Sequence, residues 1–368
     1  MPNKLNTNIK NVRNVQRYVF GEGSLTSLEL TISNHRKLVD GSVIYFVDMY
    51  FNNNNELLSK LPVGEGDEVI FISTSNEPTT EYVDSIVSSL NDKFPSKPSA
   101  VVGIGGGITL DITKAVSNLI ENGGLAEHYQ GWDLLKKPGV HKIGIPTLSG
   151  TGAEATRTCV MTNKKTGLKL GMNSDFTVFD HIIMDPELTR TVPKEQYFYT
   201  GMDAYIHCME SLNGSYRNSI GDAYSAQAIN LCREVFLSGD MMSDENRSKM
   251  MVASYLGGCA IASSYVGVVH PFSAGLSVVL GTHHCIANCI VMRTLEDFYP
   301  EGYKEFWNMV DRQGVYVPSG LCEGLSDDQY GQLFKSTIMH EKPLINALGE
   351  DYRDILTEQR VAELFRSI

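Results

Sequence analysis

The run Ser99-Ala-Val-Val-Gly-Ile-Gly-Gly-Gly-Ile-Thr-Leu-Asp-Ile-Thr-Lys114 sets a β-branched apolar segment directly before three consecutive glycines and a segment of helical character. It reads as strand, tight turn, helix. Glycines 105 to 107 carry no Cβ to hold a diphosphate away from the backbone. The first amides of the following helix offer hydrogen-bond donors at the positive end of its dipole. The turn thus predicts a phosphate-binding corner of a parallel sheet. It departs from the G-x-G-x-x-G dinucleotide fingerprint, because Gly103 and Gly105 fit but the third position is Ile108. A tight turn that only lets helix and sheet pack closely is the competing reading.

Outward from this corner the first half of the chain alternates strand and helix signals. Gly41-Ser-Val-Ile-Tyr-Phe-Val47 and Glu68-Val-Ile-Phe-Ile-Ser73 precede it, and Lys142-Ile-Gly-Ile145 and His181-Ile-Ile-Met184 follow it. Strands alternating with helices predict an α/β domain with a parallel sheet. After about residue 190 the strand signal stops and helices follow, including 223–236, 249–264 and 354–367. Asp185-Pro-Glu-Leu188 and Val192-Pro193 break the pattern between the two regimes. The expectation is two domains, 1–190 for a dinucleotide and 191–368 all-helical.

A second loop, Pro146-Thr-Leu-Ser-Gly-Thr-Gly-Ala-Glu-Ala-Thr156, presents hydroxyls and glycines at a strand end, where open parallel sheets bind ligands. Asp48 closes the strand that contains Val43 to Val47. A carboxylate there accepts bonds from ribose hydroxyls and repels a 2′-phosphate, which favours NAD over NADP.

The helical half carries metal-ligand chemistry. Asp203 and His207 lie four residues apart, which places carboxylate and imidazole on one face of one helical turn. His270 and His284 follow, fourteen residues apart, with His283 as neighbour. Each histidine alone reads as a satisfied core residue. Jointly they are harder to dismiss, because residues 250 to 292 contain no Asp, Glu, Lys or Arg yet hold three of the nine histidines. Buried imidazoles need partners. One carboxylate with three imidazoles suits Fe(II) or Zn(II) better than Mg or Ca. Cys285 and Cys289 sit beside this set, which is already complete without them.

Composition agrees with a soluble enzyme. With 31 basic and 43 acidic residues the net charge is −12, which disfavours nucleic acid and anionic membrane surfaces as partners. The apolar stretch around 250 to 292 is interrupted by Gly, Ser, Thr, His, Asn and Pro, the texture of core helices rather than of a span. Met1-Pro-Asn-Lys-Leu-Asn6 has no apolar export segment, and the seven cysteines are odd in number and scattered, so a cytoplasmic location with reduced thiols is expected.

Four motifs, Gly105 to Lys114, Pro146 to Glu154, Asp185-Pro-Glu-Leu188 and Gly201-Met-Asp-Ala-Tyr-Ile-His207, resemble the iron-containing alcohol dehydrogenase family. The likeness runs from Tyr18-Val-Phe-Gly-Glu-Gly-Ser24 to about Phe365. It implies the fold shared with dehydroquinate synthase and, for that family, a homodimer. It implies Asp203, His207, His270 and His284 as ligands to one divalent ion. It further implies Gly105, Gly106, Gly107, Thr147, Ser149, Thr151 and Lys169 as contacts to NAD or NADP, with Asp48 as the ribose carboxylate. Within the family, Tyr129-Gln-Gly-Trp-Asp133 and Leu280-Gly-Thr-His-His284 resemble the branch that oxidises C8 of the sugar acid 3-deoxy-manno-octulosonate. Many members place a proton-relaying histidine four residues after the third ligand. Here that residue is Ala274, and His283 is the candidate in its stead. A sugar acid needs a cation for its carboxylate, for which Arg157 is the first candidate and Lys169 the second. The rival readings are a lyase or cyclase of the dehydroquinate synthase kind, a general polyol or alcohol dehydrogenase, and a non-catalytic nucleotide-binding protein.

Overall fold

In the computed structural model residues 12–368 are described, and the Met1–Asn6 segment lies outside them. Among the described residues nine strands are formed: β1 (Arg17–Phe20), β2 (Val43–Asp48), β3 (Glu68–Ile72), β4 (Ala100–Gly105), β5 (Gly131–Trp132), β6 (His141–Pro146), β7 (Thr158–Asn163), β8 (Leu168–Asn173) and β9 (His181–Met184). Six make an all-parallel sheet in the order β1-β9-β6-β4-β2-β3. Helices α1 (Ser27–Arg36), α2 (Asn55–Ser59), α3 (Thr80–Lys93) and α4 (Gly107–Asn122) accompany the sheet. Both faces of it are covered, and β2 shows why its sequence is a continuous apolar run. Ile44 and Phe46 enter the core on one side, with α3 and α4, while Val43, Tyr45 and Val47 enter the core on the other, with α1.

The remaining strands form a small second sheet, β5-β8-β7, in which β7 and β8 are an antiparallel hairpin. The sequence reading places no strand between Ile145 and His181, so this sheet is an addition to it. Strand β7 alternates partly exposed and buried residues, with Cys159 and Met161 pointing into the sheet-side core.

From Lys194 onward the chain is helical: α5 (Lys194–Asn213), α6 (Ser219–Phe236), α7 (Asp244–Ser263), α8 (Val269–Leu280), α9 (His284–Val291), α10 (Pro300–Gln313), α11 (Asp327–Ile338), α12 (Glu341–Leu348), α13 (Tyr352–Ile355) and α14 (Glu358–Arg366). The last two correct the single helix expected over 354–367. Leu356 leaves the helical region and Thr357 caps α14 by accepting from the Arg360 amide, so the chain restarts there.

Two close approaches lock the sheet to the helices. A Cβ at Gly150 would lie 1.5 Å from the carbonyl oxygen of Thr200 in α5, and one at Gly152 would lie 2.6 Å from the Cα of Gly258 in α7. Both glycines have positive φ, 152° and 64°. The loop after β6 is thereby pressed onto the helix that carries Asp203 and His207.

Candidate metal and nucleotide cleft

The carboxyl ends of β2, β4 and β6 open onto a cleft of about 800 Å³ whose far wall is helical. Asp48, Gly106, Gly107, Thr147, Thr151 and Lys169 line it, together with Asp203, His207, His270, His283 and His284. Helix α4 starts at this wall with Gly106 as its N-cap and no side-chain cap, which leaves its first amides for a ligand. Asp48 accepts hydrogen bonds from the Tyr50 amide at 3.0 Å and the Thr74 hydroxyl at 3.2 Å. Burial raises its pKa against those bonds.

Three expected contacts are placed elsewhere. Gly105 does not line the cleft; its missing Cβ makes room for Thr109, 2.6 Å away, so this glycine serves helix–sheet packing. Ser149, within the loop after β6, is buried and does not line the cleft, and its hydroxyl has no partner among the described residues. Arg157 also stands outside the cleft lining, held between Asp133 at 2.6 Å and Asp175 at 3.1 Å. Its charge is matched by two carboxylates, which is the structural salt bridge and not a free anion site.

Helix α5 sets Asp203 and His207 one turn apart in the buried floor, α8 brings His270 across, and His284 opens α9. The nearest imidazole nitrogens stand 3.5 Å (His207), 3.3 Å (His270) and 3.7 Å (His284) from the oxygens of the fully buried Asp203. Ligand atoms of Asp203, His270 and His284 fall within 4.8 Å of one another. His207 stands just outside this tighter group and stacks on His270, ring centroids 4.6 Å apart. Burial works against the Asp203 charge, but the surrounding imidazoles hold its pKa well below the ordinary value. Desolvation lowers His207 to about 4 and His284 to about 3, so both present neutral rings. The Nδ1 atoms of His207 and His284 are buried with no partner among the described residues. A buried carboxylate with the Nε2 atoms of three imidazoles turned toward it, two of them on neutral rings, is the kind of donor set that a divalent ion such as Fe(II) or Zn(II) requires, and these residues fit it.

Around this floor stand Glu210, Asn288, Glu77 and His340, which the sequence reading did not single out, beside Cys285 and His283, which it did. Glu210, one further turn and three residues beyond His207 on α5, accepts from His270 Nδ1 at 2.5 Å and from the Val269 amide at 2.6 Å. That bond fixes the His270 tautomer and leaves Nε2 for the site. Burial pulls His270 down, yet the Glu210 carboxylate lifts it to about 9. Asn288 donates to Asp203 Oδ1 at 2.7 Å. Cys285 lies 3.7 Å from Asp203 Oδ2, and burial pushes its pKa so far up that it stays a thiol. Glu77, from the loop after β3, pairs with Lys169 at 3.0 Å and accepts from the His284 amide at 2.8 Å. Burial raises the Glu77 pKa, but Lys169 and His284 outweigh it and hold the group at about 2. His283, 45% exposed, stands 4.0 Å from the same carboxylate. His340 also lines the cleft, lowered by desolvation to about 4. Glu210 had a signal in its helical spacing of seven from Asp203, and Asn288 had one in its position one turn after His284 on α9; Glu77 and His340 stand outside the helices.

The profile of the family described as iron-containing alcohol dehydrogenase matches residues 15–186, and that of its C-terminal region matches 197–313. The chain belongs to the iron-containing alcohol dehydrogenase family. Sulfoacetaldehyde reductase of Bilophila wadsworthia is 35% identical over 209 residues, 56% of this chain and 54% of that protein. NAD-dependent methanol dehydrogenase of Bacillus methanolicus is 33% identical over 196 residues, 52% of this chain and 51% of that protein. The matched stretch spans about half the length of these curated relatives. The crystal structure of a 1,3-propanediol oxidoreductase superposes with a TM-score of 0.82 at 21% identity, covering 98% of this chain and 99% of that one. The fold of the described residues is therefore that of the iron-containing alcohol dehydrogenases, a parallel α/β part followed by a helical part.

Proposed function

We propose that the chain is a metal-dependent dehydrogenase that passes hydride from a primary hydroxyl of a small anionic acid to NAD, with C8 of 3-deoxy-manno-octulosonate as the substrate. The observation that carries the dehydrogenase reading is the convergence of Asp203, His207, His270 and His284 on the floor of the same cleft that Asp48, Gly106 and Gly107 line. A divalent ion held there would lower the pKa of a substrate hydroxyl, and a nicotinamide would accept the hydride. The chain supplies placement: the α4 amides with Thr147 and Thr151 hold the dinucleotide, Asp48 holds its ribose, and the buried floor keeps water from the reacting carbon. His283 takes the hydroxyl proton, and its exposed ring passes it to solvent past Glu77.

The sugar-acid part rests on the likeness at Tyr129 to Asp133 and Leu280 to His284 and on Ala274, which lines the cleft and leaves room beside His270. The similarity to a protein that reduces sulfoacetaldehyde favours a second reading, a shorter substrate that shares the negative charge. A lyase or cyclase would consume no net cofactor, so net NAD reduction separates it from both. Steady-state rates with 3-deoxy-manno-octulosonate, its methyl ester, 2-hydroxyethanesulfonate, glycerol and 1,3-propanediol decide among the dehydrogenase substrates. The proposal expects the sugar acid to have the largest specificity constant; equal constants across the set would remove the sugar-acid reading and leave the dehydrogenase. The subunit arrangement we propose is a homodimer.

A further inference from the structure

Two lysines and no arginine line the cleft among the described residues, and they are in different electrostatic states. Lys169 is matched by Glu77 at 3.0 Å. Lys342, at the start of α12, has no carboxylate within 4.0 Å and no hydrogen-bond partner among the described residues. Its Nζ instead stands 3.7 Å from the ring centroid of Trp132 and 5.8 Å from that of Tyr265. Trp132 meets Tyr265 edge-on at 5.3 Å, and Tyr265 meets Tyr216 edge-on at 5.0 Å, so the ammonium rests on a ladder of rings. The nearby carboxylate, Asp133, is already engaged by Arg157 at 2.6 Å. Trp132 and Asp133 belong to the motif that carried the sugar-acid likeness.

A salt bridge quenches a cation, whereas an aromatic face holds one in place and leaves its positive field intact. Partial burial lowers the Lys342 pKa, with Asp133 opposing the shift and Arg157 reinforcing it. We infer that Lys342, seated on Trp132, is the residue that receives the anionic group of the substrate, a carboxylate or its sulfonate equivalent. It thereby replaces Arg157 in that role. The inference rests on the anionic-substrate reading above and sharpens it to one atom, Lys342 Nζ.

The test compares wild type, Lys342→Met, Lys342→Arg and Trp132→Leu with the free sugar acid, its methyl ester and 2-hydroxyethanesulfonate. Lys342→Met keeps the length and the apolar contact with Trp132 while removing the charge. It is expected to raise KM for the acid by about tenfold or more, the scale of one lost charge-assisted bond, with kcat and the ester little changed. Lys342→Arg is expected to stay within about threefold of wild type, and Trp132→Leu to raise KM for the acid by a smaller factor. A parallel loss with the sulfonate identifies charge as the recognised property, and a loss confined to the acid identifies the carboxylate. If wild type prefers the acid over the ester and Lys342→Met keeps that preference, the assignment of Lys342 fails while the substrate reading stands. If wild type shows no preference, the substrate reading fails first and takes this assignment with it.

Discussion

Asp203 is surrounded on three sides by imidazoles, and its neighbours divide into groups that would hold an ion and groups that aim them. Glu210 belongs to the second kind, since it touches His270 Nδ1, the Val269 amide and, at 3.4 Å, the Tyr299 hydroxyl. Glu210→Gln preserves shape but replaces an acceptor-only group, so His270 loses its orienting charge. Metal affinity is expected to fall by about 10- to 100-fold, read by competition with a chelator and metal analysis of the purified protein. His270→Ala is expected to lower bound metal further, and full occupancy in that variant would show that the ion is held elsewhere. Asp48 acts at the other end of the cleft. Asp48→Ser is expected to narrow the ratio of specificity constants for NAD over NADP by about tenfold, because it removes a buried carboxylate that a 2′-phosphate would face. An unchanged ratio would place the ribose away from this residue.

At the scale of elements, the loop after β6 is pinned by backbone contact, so its glycines are sensitive where no side chain is lost. Gly150→Ala would drive a Cβ into the Thr200 carbonyl at a positive φ, and nothing soft lies in the way to yield. The expected cost exceeds about 4 kcal/mol or abolishes folding, whereas Gly167→Ala, in the open β7–β8 turn, is expected to cost about 1 kcal/mol. Denaturant midpoints of the two variants check the contrast. The same elements show what the sequence made legible. Five of the six strands of the parallel sheet and the Asp203–His207 pair were readable because each rests on local sequence, a continuous apolar run in β2 and a helical turn in α5. The β7–β8 hairpin was overlooked although Thr158 to Asn163 alternates, since no charged-out, apolar-in contrast marks it. Glu77, His340 and Lys342 were out of reach altogether. They come from loops and a late helix more than fifty residues from the metal motifs or far upstream of them, and only the closed cleft makes them neighbours. Arg157 was misread for the converse reason: its position after the glycine loop is local, but its partners Asp133 and Asp175 lie 24 and 18 residues away.

At the scale of the whole molecule, folding takes histidines into surroundings that disfavour their charge at both ends of the sheet. Besides the cleft, His141 at the amino end of β6 stacks on His35 at 4.6 Å and meets His181 at 5.2 Å. Burial lowers the His141 pKa to about 4; Asp180 opposes this, while His35, His181 and Lys142 reinforce it. The unfolded chain binds this proton near pH 6.5 and the folded chain only near pH 4, so between those values the unfolded state holds more protons. Stability from this group is therefore fully present above about pH 6.5 and is lost as the pH falls toward 4, with a slope of at most about 1.4 kcal/mol per pH unit. His141→Gln removes the titration and keeps a polar side chain of similar reach. Chemical denaturation of both proteins at pH 7.5, 6.0, 5.0 and 4.5 is expected to show wild type losing stability more steeply below pH 6.5, with the difference between the two constant above pH 7. Parallel curves across the whole range would mean that His141 folds into its place already protonated, balanced by Asp180, and that the acid sensitivity resides in the cleft histidines instead.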